Sequence, residues 1–419
     1  MSQYLRFIRQ HAALLGFGFL AVFWGNFGQS FFVAWFGADI QRSLGMSAGT
    51  YGAAYSSATL LSAVAVVWLG GLIDRVALRR YVLAVSVGLF LAALALSQAR
   101  GLLSLLLGFF LLRLFGQALL PHTGITTMAR FFSNNRGKAL SVAMTGVPAG
   151  EIVLPLIAVA LIAWLGWQAT FLVVAASVLL LFLPLALWLL RLGLPSGGAE
   201  VGASRQHSGS ADDADDLQRH PGRRDVLRDY RFWLALPALM ASPFMITGIF
   251  IHQNFLVEAK GWTMGWLAGS FVLYGLVHWL SSLASGALVD RFRATRLLPL
   301  LQVPMLAALL VVAYMPGWWS APVMMALLGV AAGGSPPVTG SMWPEIYGTR
   351  NLGSIRAMNM AIMVMATSIS PVLFGYFIDF GSSVTTLFSW SALYVALAFV
   401  LMLFSYPAND RSLVKKSYE

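Results

Sequence analysis

The chain contains no cysteine, which excludes disulfide frameworks, thiolate metal sites and cysteine nucleophiles. It is poor in charge. Only 10% of its 419 residues are Asp, Glu, Lys or Arg, against about 25% in an ordinary soluble domain. Pairs such as Gly70-Gly71 and Gly333-Gly334 follow no strand pattern and precede no Gly-Lys-Ser/Thr, so no phosphate loop and no use of ATP is implied. No His/Asp/Glu cluster has metal-ligand spacing, and no nucleophile–base pair is readable. An enzyme would lack its catalytic constellation, and no cofactor or metal is called for. No small-residue cleavage site follows the first apolar run, which therefore reads as a retained span and not as a signal peptide.

Apolar residues are in excess, at 58%. A membrane helix needs about 20 of them in succession. Charge-free stretches predict twelve spans. In the first half these are 10–38, 43–73, 81–99, 101–129, 139–165 and 168–190. In the second half they are 232–257, 261–289, 297–315, 318–344, 357–378 and 380–409. Gly166-Trp167-Gln168 and Pro316-Gly317 divide runs too long for one crossing. With the N-terminus in the cytoplasm, 23 of the 27 basic residues lie on the cytoplasmic side. Arg42, Arg100 and Lys260 then face out, and Arg113 lies inside the membrane. The positive-inside bias thus sets both the orientation and an even number of spans. The net charge of +11 is a topology signal. Nucleic-acid binding would want a basic face on a soluble module.

One segment, 192–230, cannot bury a core. It is rich in Gly, Ser, Asp and Arg, with Asp212, Asp213, Asp215 and Asp216 ahead of Arg219, Arg223 and Arg224. It reads as a cytoplasmic linker between a six-helix bundle at 1–191 and a second at 231–419. Asp225–Arg231 reads as a short amphipathic lead into the seventh span.

The two halves repeat each other. Gly70-Gly-Leu-Ile-Asp74-Arg75 closes the second span, and Gly286-Ala-Leu-Val-Asp290-Arg291 closes the eighth, 216 residues further on. The same shift superposes Gly45 on Gly261, Gly49 on Gly265 and Tyr55 on Phe271 without a gap. A period this long means duplication of a whole domain, and duplicated bundles are a transporter plan.

Two six-helix halves, a linker and the doubled Gly-x-x-x-Asp-Arg turn resemble the major facilitator superfamily. Its turn signature reads Gly-x-x-x-Asp-Arg-x-Gly-Arg-Arg. This chain carries Gly70, Asp74, Arg75, Arg79 and Arg80, with Ala77 in place of the second Gly. The run Phe132-x3-Arg136-x2-Ala139-x3-Ala143-x2-Gly146-x3-Gly150, followed by Gly166-Trp167, is similar to helix 5 of the monocarboxylate-porter branch and its oxalate/formate-exchanger relatives. The resemblance implies an all-α membrane fold, alternating access, and a cavity lined by helices 1, 4, 7 and 10. It implies no enzyme activity.

The Asp74 carboxylate ends a helix, where the dipole disfavours it, so it needs a positive partner. Candidates are the N-termini of helix 11 near Gly353 and helix 5 near Ala139. By pseudo-symmetry Asp74 would meet helix 11 and Asp290 helix 5, forming a latch made and broken on the cytoplasmic side. Gly70, Asp74, Arg75, Gly286, Asp290 and Arg291 are its residues. The alternative is that these charges only fix topology.

Ionisable groups inside a membrane are functional candidates by default. Arg113 lies roughly 16 Å into the fourth span and Glu151 roughly 18 Å into the fifth, at 1.5 Å per residue. Both are near the midplane of a core about 30 Å thick. Arg113 could receive an anionic solute through its planar fork while Glu151 carries a proton, or the two could form a permanent ion pair. Gln117 lies one turn from Arg113. His122, His252 and His278 could each carry a proton, or pack as polar neighbours. His252-Gln253-Asn254 lies late in the seventh span, and Asn26 and Gln29, three apart, share a face of the first. The family resemblance places Asn26, Gln29, Arg113, Gln117, His252, Gln253 and Asn254 toward the solute, and His278 is a further solute-site candidate on the eighth span. Interhelical hydrogen bonding would explain them otherwise.

The expected function is secondary active transport of a small organic solute, an anion such as a monocarboxylate, by proton symport. The expected setting is a bacterial inner membrane, with the protein monomeric and both termini cytoplasmic. The alternatives are an exporter of drugs or metabolites by proton antiport, and a non-transporting membrane sensor. Partners are the solute, protons and the lipid bilayer, with no nucleic acid.

Overall fold

The computed structural model describes residues 3–132, 135–194, 222–348 and 351–406. Among them every regular element is helical. Eleven helices are long and apolar enough to cross a membrane, and one bent pair counted as a single broken span makes twelve. The first six are α1 (Ala12–Gly28, turning by 47° into Ser30–Leu44), α2 (Ala48–Asp74), α3 (Leu78–Ser97), α4 (Leu102–Phe131), α5 (Arg136–Leu165) and α6 (Trp167–Gly193). The second six are α7 (Tyr230–Ile251), α8 (Met264–Arg291), α9 (Ala294–Tyr314), α10 (Ser320–Tyr347), α11 (Leu352–Asp379) and α12 (Val384–Leu403). A short helix, Arg223–Arg228, precedes α7 where the amphipathic lead was expected. Most of the expected linker lies outside the described residues.

The chain divides into two compact units, Met1–Met46 with Ala53–Ala214, and Ser47–Gly52 with Asp215–Glu419. In the first unit α1 packs against α4, α5 and α6, and α3 lies on α4 and α6. In the second, α8 and α10 form the closest pair, α7 packs on α11 and α12, and α9 on α10 and α12. Small residues allow these approaches. A Cβ at Gly333 of α10 would collide with the His278 carbonyl of α8, and one at Gly150 of α5 with the Asn26 amide of α1.

Two helices depart from α geometry just ahead of a proline, while others, such as α5 at Pro155 and α7 at Pro237, stay regular. The middle of α4 widens to a π-helix over Leu112–Leu119, just before Pro121. The middle of α6 does the same over Val178–Phe182, just before Pro184. A proline ring clashes with the carbonyl four residues back and offers it no N–H. A wider turn relieves both problems, and such π-bulges gather at functional places.

The cytoplasmic turns expected after α2 and α8 are each clamped by the last turn of a neighbouring helix in the same unit. In the first unit Arg130 of α4 pairs with Asp74 and donates to the Ile73 carbonyl at 3.1 Å. In the second, Glu345 of α10 accepts the Ala294 N–H at 2.8 Å. The repeats keep the clamp and reverse its polarity. Asp229 caps α7 through the Arg231 N–H at 3.0 Å and accepts the Tyr347 hydroxyl at 2.9 Å. Tyr406 joins that hydroxyl at 2.8 Å, and burial pushes the Tyr406 phenol above its ordinary pKa.

Candidate solute site

In the first unit two irregular segments face each other. The first span is expected as one helix, but α1 tightens to a 3-10 turn over Asn26–Gly28 and is extended at Gln29 (ψ 151°). In a continuous helix the Phe32 N–H would bond the Gly28 carbonyl. Here it bonds the Gln29 carbonyl at 3.1 Å, and Gly28 is left for Arg113, whose Nη1 donates to it at 3.0 Å. Arg113 sits on the π-segment of α4, only 3% exposed. Its guanidinium lies 4.9 Å from the centre of the Tyr55 ring on α2, a cation–π contact. Its Nε is buried and has no hydrogen-bond partner. Arg113 thus braces the break in α1 and keeps a donor in reserve.

Asn26 is buried beside it and donates to the Gly146 carbonyl of α5 at 2.8 Å. The break separates Asn26 from Gln29, so the two do not share a helical face. The physical reason is the extended backbone at Gln29 itself. Gln117 lies on the π-segment, partly buried, and the Gly28 backbone packs against its N–H. Glu151 is buried on α5 with a partner of its own. His122 is exposed, with its ring edge beside Gly70. Asp74 and Arg75 are exposed. Asp74 meets Arg130 of its own unit, a partner the sequence reading did not consider.

In the second unit α7 stops at Ile251, and a separate helix runs Gln253–Lys260. At the break His252 is buried, with Nε2 2.8 Å from the Pro371 carbonyl of α11. Gln253 is 1% exposed, and neither of its amide atoms has a partner. Asn254 instead donates to Glu258 at 2.6 Å, near the surface. His278 is half-buried on α8 with its ring 5.7 Å from that of Tyr274. Gly286 is half-buried, while Asp290 and Arg291 are exposed, with the Arg291 guanidinium over Phe292. Lys260, beyond the spans, donates to the Met315 carbonyl at 3.2 Å, and burial lowers its pKa.

Arg356 of α11, an exposed residue that the sequence reading placed only as a topology charge, takes up a backbone carbonyl of α10. Pro344 cannot donate to the Gly340 carbonyl four residues back, and Arg356 Nη2 supplies that donor at 2.6 Å. Both units therefore use an arginine to satisfy a carbonyl orphaned by a helix irregularity. The spacing Gly340-x3-Pro344 was the available signal. A second unanticipated carboxylate, Asp379 at the end of α11, accepts the Ala48 and Gly49 N–H groups at 3.0 and 2.8 Å. All three residues belong to the second unit.

Apolar spans broken at buried polar residues fit a multi-pass membrane protein of the transporter kind. Comparison with known proteins specifies the family. The family model of the Major Facilitator Superfamily matches residues 15–277, and the chain belongs to that superfamily. No curated protein matches it. Its fold is similar to that of a bacterial homologue of the human lysosomal transporter Spinster, solved inward-facing and occupied. The identity is 15%, the match covers 99% of each chain, and the TM-score is 0.67. It is also similar to the nucleoside transporter NupG, at 14% identity over 94% of this chain and 99% of that one, with a TM-score of 0.70.

Proposed function

We propose that the protein is a proton-coupled secondary carrier of small organic anions, monocarboxylates among them, working by alternating access. The observation that carries this reading is Arg113. A permanently charged, fork-shaped donor is buried at the meeting of two broken helix segments, with one guanidine nitrogen unsatisfied. An unpaired buried donor is costly, and a carboxylate would relieve that cost. Arg356 adds a second cation beside a cavity of the other unit. Buried Glu151, or exposed His122, supplies the proton carrier. The likeness of helix 5 to the monocarboxylate-porter branch supports the same solute class. The distribution of Lys and Arg supports an orientation with both ends cytoplasmic, and we take the protein to act as a monomer in a bacterial inner membrane. The Asp74 and Asp290 turns act as the cytoplasmic latch, with Arg130 holding Asp74 in readiness.

The test is uptake by proteoliposomes of labelled monocarboxylates and dicarboxylates under an inside-alkaline pH gradient. Accumulation of an acid in the wild type is expected. Glu151→Gln is expected to abolish accumulation while retaining exchange. Absence of exchange with every acid in the panel contradicts the proposal.

A further inference from the structure

The second unit carries a half-open cavity of about 440 Å³ lined by α7, α8, α10 and α11, with Arg356 and Met360 on its exposed side. That lies within the range of sites for drug-sized molecules, about 300–1,000 Å³. Its walls are Met240 and Pro243 of α7, Pro336 and Trp343 of α10, and Met360 and Met363 of α11. Trp343 is 2% exposed and forms a rigid face. The methionines are unbranched and polarizable, and adapt to irregular apolar shapes. Polar groups are few. Thr339 is already bonded to the Ser335 carbonyl at 2.8 Å, and Arg356 spends one nitrogen on Gly340. The Ser242 hydroxyl and the Asn359 amide oxygen are buried without a partner. Such a wall offers a small acid like acetate or oxalate little contact beyond its head group.

We infer that the solute carries an extended apolar body, aliphatic or aromatic, of roughly six carbons or more, as a cavity of drug-sized class requires. That body lies along Met240, Met360, Met363 and Trp343. The inference rests on the organic-anion reading above and narrows it. It assigns specificity for chain length to the second unit, and to the three methionines in particular.

The test is binding of acetate, butyrate, hexanoate, octanoate and decanoate to the full chain in nanodiscs, read as ligand-induced thermal shift. The matching alcohols serve as head-group controls. Affinity is expected to rise about fourfold per methylene, until the chain fills the cavity. Met363→Ser is expected to flatten this slope. Met360→Ser, at an exposed position, repeats the measurement with less burden on folding. Equal affinity for acetate and decanoate overturns the inference and leaves the anion reading standing. A steep slope shared equally by acids and alcohols upholds the apolar body and overturns the anionic head group. A steep slope untouched by both methionine variants assigns the effect to bulk lipid partition, and overturns the cavity.

Discussion

Replacing Gly28 by alanine tests whether the break in α1 is locked onto the π-segment of α4. A Cβ there would lie 2.5 Å from the Leu112 carbonyl oxygen and 2.8 Å from the Gly116 carbonyl carbon, and would collide with the Gln117 nitrogen. All three are backbone atoms, which cannot rotate away. Forcing extra volume into such a contact costs about 1–3 kcal/mol. Separation of the segments also stretches the bond from Arg113 to Gly28, and hydrogen bonds to charged groups contribute about 1.5–3 kcal/mol. With part of that bond retained, the sum is about 2–4 kcal/mol, or a fall of about 4–16 °C in Tm for a unit of this size. Gly71→Ala is the control, because a Cβ there meets nothing within 4 Å. It should shift Tm by no more than about 2 °C. The assay is thermal unfolding of purified protein in one detergent, with both variants expressed side by side. If Gly28→Ala melts with Gly71→Ala, the close approach of α1 and α4 is wrong, and with it the placing of Arg113.

Asp74→Asn should leave insertion and Tm nearly unchanged, since an exposed ion pair contributes at most about 1 kcal/mol, yet it should slow transport. A wild-type rate removes the latch. Asp379→Ala deprives the Ala48 and Gly49 amides of their acceptor and should cost about 0.5–2 kcal/mol, as the loss of a helix cap does. An unchanged melting temperature would show that this cap contributes nothing. Asp229→Ala should cost a similar amount for α7, and more than removing Asp225, which accepts the Gly222 N–H at 2.8 Å, because it also takes one of the two partners of the Tyr347 hydroxyl. Equal melting of the two variants would contradict that ranking.

Span number and family were legible because a bilayer tolerates only long apolar helices, and their sequence signal survives divergence. The repeated Asp-Arg turn was legible for the same reason, as charge is confined to the ends of spans. Pairings across the bundle were not. Arg130 reaches Asp74 only because α4 ends where α2 ends, a fact of packing that no local window carries. The break at Gln29 was hidden because Asn26, Gly28 and Gln29 suit a polar helix face equally well by spacing. The irregularity in α4 did leave a trace in Pro121, which deprives the Gln117 carbonyl of a donor. The same logic at Pro344 would have singled out Arg356 as more than a topology marker. Buried polar atoms left unsatisfied, such as the Gln253 amide and the Asn359 amide oxygen, carry no sequence signature, because burial depends on neighbours from other helices.

Counterflow of a labelled medium-chain monocarboxylate in proteoliposomes, comparing wild type, Arg113→Lys and Arg113→Gln, bears on solute recognition most directly. The wild type should exchange and Arg113→Lys should retain a reduced rate, keeping the charge but losing the fork. Arg113→Gln, inserted and folded, should lose at least about tenfold, the equivalent of one charge-assisted hydrogen bond. Exchange at the wild-type rate in Arg113→Gln would show that the buried guanidinium only braces α1, and that the solute is recognised elsewhere.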